Sequence, residues 1–438
     1  MIHRFRGSIT IKNQNRLTLG EKMATIRKAL DKTQVYMSMA MGYSGTLIGN
    51  YENNKCAVSS NVLNAFRKAA GVEGVPLTDD EVSAAIKEMI DWNDSISFGD
   101  INQVNELHKK FERYVRWAYD LDLQNLFDIF RIKYLCKTGK KEEAEQLASS
   151  LEKRKPSFTK MHLFWYYHYL GFLKHLDWQY KQALTMYLKA EVIEEQLNLN
   201  NIAHYYNISS CLVYCGYPHL AIDYLEKVVA TELNLSSIRY GFTAQRLLAV
   251  CYGRVGKTDK ALKLLNNYLE YLIKEKKDDK LNRCGVYLSI GRVYQDANNH
   301  EKALENFDMS ARYCDEKDEI FLTYLCDKAT LLRNCNRDDE VRKCLDKGLP
   351  LAIKSTLWYD WLHAIKYSLV LNEASSLDYV RYTSIKNLKN YGKHAMVINC
   401  YKWISDHFKK TGMYKKALFY SEKATDIITR LMKGDMSL

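Results

Sequence analysis

The sequence predicts an all-α chain, with a small helical domain at the N-terminus and a long array of helical pairs after it. Three observations carry this reading. Only 4 of 438 residues are proline, and because proline lacks an amide donor and clashes with the preceding turn, a chain so poor in it can stay helical almost throughout. Apolar residues recur at the three- and four-residue spacing that lines one face of a helix. From residue 144 onward, small or apolar anchors return at a nearly constant interval, the mark of a repeated structural unit.

The length implies two or three compact units, and 47% hydrophobic against 26% charged residues is a globular balance. The opening MIHRFRGSIT is basic but has no apolar run behind it, so it does not read as a secretory signal. No run of 18 apolar residues follows, so no membrane span is predicted and a cytoplasmic protein is expected. The 11 cysteines are odd in number and contain no CxxC pair, which reads as reduced thiols. Cys211 and Cys215, one helical turn apart beside Tyr214, read as buried structural thiols.

Net charge is +12, and residues 1–70 hold eleven Lys or Arg against three acids, so a sixth of the chain carries +8 of it. Positive charge concentrated on a small domain is the footprint expected for a polyanion partner.

Residues 1–17 form a basic arm with Arg4, Arg6, Lys12 and Arg16. The domain itself spans 18–72. Thr18 with Glu21 forms a capping box, and Leu19, Met23, Ile26 and Leu30 give a first amphipathic helix. A second helix starts at Thr33 and stops at Gly42, and a third starts at Ser44 and runs to Asn53 or Asn54. Val62, Leu63, Phe66 and Ala69 give a fourth, ended by Gly71. Two short helices joined by a tight turn are the helix-turn-helix arrangement, whose second helix enters the DNA major groove. Residues 73–100 read as a linker, with a short helix capped by Thr78 and Glu81 (DDEVSAAIKEMIDW) and a loop NDSISFGD after it.

From Thr33-Gln34 through Met37-Ser38, Gly42, Ser44 and Ile48 to Glu52-Asn53-Asn54-Lys55, the register resembles the phage-repressor class of helix-turn-helix domains. The resemblance implies that Arg27, Gln34, Asn53 and Lys55 touch phosphates while Ser44, Gly45, Thr46 and Asn50 face base edges. It also implies a partly buried ion pair between Arg27 and Glu52 that orients the third helix. Gly45 and Gly49 depart from the family's long polar side chains and reduce direct readout of bases.

Residues 101–438 hold about eight helical pairs. The second helix of each begins near an anchor: Ala144, Ala183, Ala221, Ala261, Ala303, Val341, Val380 and Ala417, separated by 39, 38, 40, 42, 38, 39 and 37 residues. Twelve residues before most anchors stands another small position, as at Gly171, Ala249, Gly291, Ala329 and Ser405. This resembles the tetratricopeptide repeat at a longer period than its usual ~34 residues and implies a right-handed solenoid with a concave groove. Tyr206, Asn207, Arg246, Arg292 and Asp327 fall where groove-lining residues are expected, Asn207 foremost because a carboxamide can hold both groups of a peptide bond.

No P-loop, GxGxxG, HExxH, GxSxG or kinase signature occurs, and His162, His168, His204 and His363 lack metal-ligand spacing. No enzyme, metal site or cofactor is therefore expected. A repressor-type reader followed by a repeat array resembles the RRNPP peptide-sensing regulators. The resemblance implies a homodimer on double-stranded DNA, with a two-fold operator, whose repeats bind a short signalling peptide. Two other readings are open: a DNA-binding regulator whose repeats recruit a protein and bind no peptide, and a repeat scaffold with a vestigial reader. A groove that is apolar and closed by its own C-terminal helix favours the protein-recruiting reading.

Overall fold

The computed structural model describes residues 17–235, 241–274, 280–354 and 356–435, so Arg4, Arg6, Lys12 and Arg16 of the basic arm lie outside the described residues. Among the described residues every regular element is helical. Contacts divide the chain into two compact units, residues 1–169 and 170–438, with the boundary inside one helix.

In the first unit, α1 (Leu19–Ala29), α2 (Gln34–Met41), α3 (Gly45–Glu52) and α4 (Ser60–Ala70) start at Thr18, Thr33, Ser44 and Ser59, whose hydroxyls each accept from a backbone N–H of the first turn. Thr18 and Glu21 complete the capping box. Gly42 and Gly71 end α2 and α4 in the left-handed conformation, and Asn54 takes it after α3 at φ +57°. Met23, Ile26, Met37, Ile48, Val62, Leu63 and Phe66 form the small core.

Next come α5 (Asp79–Phe98), α6 (Ile101–Ala118), α7 (Leu121–Lys137), α8 (Lys141–Arg154) and α9 (Lys160–Leu176), the last crossing the boundary between units. α5 is longer than the sequence predicts, because NDSISF continues the helix in place of the expected loop. The apolar step from Met89 through Trp92 to Ile96 carries through that stretch, and all three are buried. Asn93, polar at its centre, is satisfied on both sides: its carbonyl accepts from Lys133 Nζ at 2.6 Å, and its side chain accepts from the Tyr169 hydroxyl.

The second unit takes the end of α9 and adds α10 (Tyr180–Leu197), α11 (Ile202–Cys215), α12 (Pro218–Leu235), α13 (Gly241–Arg254), α14 (Thr258–Lys274), α15 (Lys280–Asp296) and α16 (His300–Ala311). It continues with α17 (Glu319–Asn334), α18 (Asp338–Gly348), α19 (Leu357–Ser368), α20 (Ala374–Asp378), α21 (Ile385–Asn390), α22 (His394–Lys410) and α23 (Tyr414–Met432), with a π-helical turn (Tyr379–Ser384) joining α20 to α21. The elements stack as a tetratricopeptide-like solenoid. All eight anchors, from Ala144 to Ala417, are at most 2% exposed. The small positions explain the close approach: a Cβ on Gly171 would lie 2.8 Å from the Tyr187 ring, and one on Gly291 only 2.4 Å from Phe307.

A second regularity accompanies the anchors. Five residues before Ala144, Ala183, Ala221, Ala261, Ala303, Val341 and Ala417, the chain takes a left-handed residue: Gly139, Trp178, Gly216, Gly256, Asn298, Asn336 and Gly412. Val380 is buried like the others but has no such turn before it, and it sits in the π-helical segment instead of near the start of a helix. The turn recurs at Gly392, five residues before buried Val397. The seventh pair is therefore irregular, because its second half is assembled from α20, the π turn and α21.

Candidate DNA-reading surface and repeat interior

The α3 helix is held from behind by a buried polar network. Arg27 donates from Nε to Glu52 Oε1 at 2.6 Å and from Nη2 to Oε2 at 2.9 Å, while its Nη1 donates to the Lys32 carbonyl at 2.8 Å. Gln34 Nε2 adds a third donor to Glu52 at 2.8 Å. The hydrogen bonds from Arg27 to Glu52 hold the guanidinium firmly in its charged form, raising its pKa. The first helix thus fixes the C-terminal end of α3, as the expected Arg27–Glu52 pair requires. Arg27, however, is 9% exposed with its donors aimed inward, which makes it a positioning residue.

Of the other residues predicted to meet DNA, Ser44, Thr46, Asn53 and Lys55 are exposed, while Gly45, Asn50 and Gln34 are half-buried. Ser44 Oγ is engaged as the α3 cap, and Asn53 Nδ2 donates to the Gly49 carbonyl at 2.7 Å. A Cβ on Gly45 would meet nothing within 4 Å, and one on Gly49 nothing nearer than Gln34 Oε1 at 3.6 Å. Packing requires neither glycine, so their effect is to keep the exposed face of α3 low. Gly20 differs, since its Cβ would lie 2.1 Å from the Tyr51 carbonyl and α1 needs a glycine to pass α3.

The same unit fastens this four-helix group to the helices that follow. Lys22 on α1, itself buried, donates from Nζ to the Leu77 carbonyl at 3.1 Å and lies 3.6 Å from Asp120 Oδ2. Asp120 is also the N-cap of α7, its Oδ1 accepting from Leu123 N at 3.0 Å. Arg67 on α4 pairs with Glu81 at the start of α5. No local pattern marks the Lys22–Asp120 pair, whose partners stand 98 residues apart.

In the second unit, the first helices of successive pairs converge on one another. Arg292 on α15 donates from Nε to Asp327 Oδ2 on α17 at 2.7 Å, joining two of the predicted groove residues. Arg246 on α13 lies over Gly285, where a Cβ would stand 1.7 Å from its Nη1. Tyr206 and Asn207 are half-buried on α11, Tyr206 packing against the core. Arg254, Asp296 and Tyr214, all exposed, and buried Lys393 stand beside this group, and repeat position alone does not single them out. Arg254 Nη1 donates to the Val213 carbonyl at 3.0 Å. Desolvation by the surrounding protein raises the Asp296 carboxyl pKa against the pull of Arg254 and Arg292.

Lys393 is the least expected member. It occupies the same Gly-Lys turn as exposed Lys140 and Lys257, yet it is 6% exposed, with Nζ 4.1 Å from the centroid of the Tyr180 ring and 4.0 Å from that of Tyr214. Burial pushes its pKa down to about 7, with Arg254 and Arg292 adding to the shift. The two ring faces favour the ammonium and oppose that shift. Cys211 and Cys215 lie beneath it, burial raising both thiols, Cys215 to about 11. Burial and Lys393 together lower His175 to about 4.

These contacts close the array on itself. Trp178 meets Trp358 edge to face at 5.4 Å, Gly392 abuts Cys215, Leu431 of α23 covers Gly216, and Tyr217 donates to the Asp435 carbonyl at 2.7 Å. The two ends of the array therefore meet at the C-terminal helix, and the residues gathered there are charged and not apolar.

A helix-turn-helix group ahead of stacked helical pairs defines the class: a small four-helix domain followed by a tetratricopeptide-like array. The tetratricopeptide repeat family matches residues 242–316. The transcriptional activator NprA of Geobacillus stearothermophilus is 19% identical over 393 residues, covering 85% of this chain and 94% of that protein. Among solved structures, NprR in complex with its cognate peptide NprX superposes with a TM-score of 0.64 at 19% identity, and the apo form of the quorum sensor NprR from B. thuringiensis with 0.60 at 19%, each covering 80% of this chain and 99% of the other. A Rap protein complexed with Competence and Sporulation Factor gives 0.67 at 13%, covering 81% and 99%. These likenesses show the fold, a tetratricopeptide-like helical array. Of the proteins it resembles, one is described as a transcriptional activator and one as a quorum sensor.

Proposed function

We propose that the chain is a DNA-binding transcriptional regulator whose residues 18–72 read DNA, whose residues 73–100 link, and whose residues 101–438 bind a short signalling peptide that controls a pair of readers in a homodimer. The observation that carries the reading is α3 itself, held from behind by Arg27, Gln34 and Glu52 with its Ser44, Thr46 and Asn50 side facing outward. In this reading Thr46 and Asn50 meet base edges, and Gln34, Asn53 and Lys55 set register on phosphates. Arg27 orients α3 from within. The buried Lys22–Asp120 contact ties the reader to the N-terminus of α7, so movement of the repeats has a route to it.

A peptide receptor is supported by the charged interior, where Arg246, Arg254, Arg292 and Lys393 outnumber Asp296 and Asp327. Such an interior suits a carboxylate-bearing ligand. The protein-recruiting reading is favoured by one observation, the closure of the array by α23.

The test is a gel shift with DNA fragments flanking the gene, comparing the protein with Thr46→Ala/Asn50→Ala and Lys55→Ala variants. The base-facing pair is expected to lose preference for its fragment over competitor. Lys55→Ala is expected to weaken all fragments alike and to flatten the salt dependence. Equal behaviour of the two variants contradicts the assignment.

A further inference from the structure

Positive charge is gathered at two places in the chain. Residues 381–438 hold twelve Lys or Arg against four acids, a net +8 equal to that of residues 1–70, while the stretch between them is net −4. DNA reading by α3 uses the first concentration and leaves the second without a role. Lys393 is its one buried member, and the lysines of α22 and α23, from Lys402 to Lys423, are all exposed. We infer that the solvent face shared by α23 and the π-helical turn binds single-stranded nucleic acid, its cations holding phosphates and its exposed rings stacking on bases. This site is separate from the α3 reader and does not depend on a peptide ligand.

Cations and rings alternate on this face. Lys416, Phe419 and Lys423 stand at i, i+3 and i+7 on α23, which places them on one side of the helix. Lys423 Nζ lies 4.8 Å from the centroid of the Phe419 ring, and Lys416 Nζ lies 5.4 Å from that of Phe408. Arg381, from the π turn, sets its guanidinium 5.0 Å from the Tyr382 centroid and 5.8 Å from that of Tyr420. Tyr420 joins the two groups into one surface, since it stacks on Phe408 at 5.8 Å and meets Phe419 edge to face at 5.2 Å. Tyr420 and Phe408 are buried, whereas Tyr382 is 62% and Phe419 50% exposed. Arg381 has Asp378 at 3.6 Å, three residues before it. Among the described residues, neither Lys416 nor Lys423 has an acid within ion-pair distance. The acids of α23, Glu422 and Asp426, are outnumbered two to one by its cations.

The irregular seventh pair supplies half of this site. A π turn closes its hydrogen bonds one residue later than an α-helix, is rare, and occurs often at functional sites. The six-residue turn here buries Val380 and brings the next two residues, Arg381 and Tyr382, to the rings of α23.

The chemistry separates the competing occupants. A second copy of the chain carries the same positive charge on this face and is repelled by it. An acidic protein segment satisfies the cations without using the ring faces. Duplex nucleic acid also offers phosphates, but its bases are already stacked on one another. An unpaired strand offers both partners at once, a phosphate and a π-face with every nucleotide.

The experiment follows the anisotropy of end-labelled oligo-dT and oligo-U of about 12 nucleotides as the full chain is added, at salt from about 50 to 200 mM, with a duplex of the same length beside them. The variants are Lys416→Ser/Lys423→Ser, Phe419→Ser and, in the reader, Lys55→Ala. Lys416, Phe419 and Lys423 are exposed, so replacing them leaves the core intact. The expected result is salt-sensitive binding of at least one strand, more tightly than of the duplex. It should weaken by at least about tenfold in the double lysine variant and about fivefold in Phe419→Ser, and stay unchanged in Lys55→Ala. The strand held more tightly identifies the source of the ligand as DNA or RNA. A duplex bound as tightly as either strand, with Phe419→Ser unaffected, overturns the proposal, as does poly-glutamate competing as well as an unlabelled strand. Strand binding lost only in Lys55→Ala assigns it to the reader, and absence of strand binding leaves the face without this role. Both outcomes overturn the site, and the gel shift on flanking duplex fragments tests the reader independently.

Discussion

Truncating Arg27 to alanine removes two of the three donors that Glu52 accepts, leaving a carboxylate whose side chain is 4% exposed with Gln34 alone. Each hydrogen bond to a charged group is worth about 1.5–3 kcal/mol, and breaking one side of a buried ion pair costs about 3–5 kcal/mol. The two routes agree on roughly 3–5 kcal/mol, a large share of the 5–15 kcal/mol that holds a typical protein folded. Hydrogen exchange read in peptides covering residues 19–52 is the suitable assay, because the loss is local to α1, α2 and α3. Every 1.4 kcal/mol is tenfold in the opening equilibrium, so exchange should quicken by about 10² or more. Replacing both partners, Arg27→Met with Glu52→Leu, leaves no orphaned charge and should restore protection to within about tenfold of wild type. An Arg27→Ala effect below about tenfold, or a double variant no better than the single one, refutes the reasoning.

Two further outcomes follow from the repeats. Gly291→Ala should destabilise by about 1–3 kcal/mol, despite the better helix propensity of alanine, because the new methyl group meets Phe307 and the Ala303 carbonyl; a thermal melt that rises or stays unchanged contradicts the packing account. Lys393 carries a pKa depressed to about 7 from its ordinary 10.5, so the folded state prefers the neutral amine. The stability linked to it is present above about 10.5 and lost as pH falls toward about 7, at up to about 1.4 kcal/mol for each pH step of one crossed, before the opposing pull of Tyr180 and Tyr214. Relative to Lys393→Met, the wild type should lose urea stability between pH 10 and 7. Parallel profiles contradict the burial of a titrating amine.

Local signals are legible in the sequence and long-range ones are not. The caps at Thr18, Thr33 and Ser44 and the stop at Gly42 follow from short-range chemistry and appear as expected. The anchors from Ala144 to Ala417 are visible because each repeat meets its neighbour in the same way, so one packing rule is written many times. Val380 is deceptive because buried valine at the right interval does not guarantee the left-handed turn before it, a turn that Gly392 carries instead. The end of α5 is hidden because the polar run around Asn93 resembles a loop until its partners Lys133 and Tyr169 are known. Lys393 and Trp178 carry no local mark, since their neighbours Tyr180, Tyr214 and Trp358 lie about 180–215 positions away and are met only when the two ends of the array come together. Gly285, a glycine inside a helix, is a usable hint that a long side chain lies across it, and that side chain is Arg246.

The central claim, that the repeats sense a peptide and control the reader, is tested most directly by one titration: fluorescence anisotropy of a labelled fragment flanking the gene, at fixed protein, against rising peptide. The expected result is that the full chain binds the fragment and that one peptide shifts its affinity by at least about tenfold in either direction. Failure to retain any fragment at low salt in the presence of competitor DNA, or an affinity unmoved by every peptide tested, contradicts it.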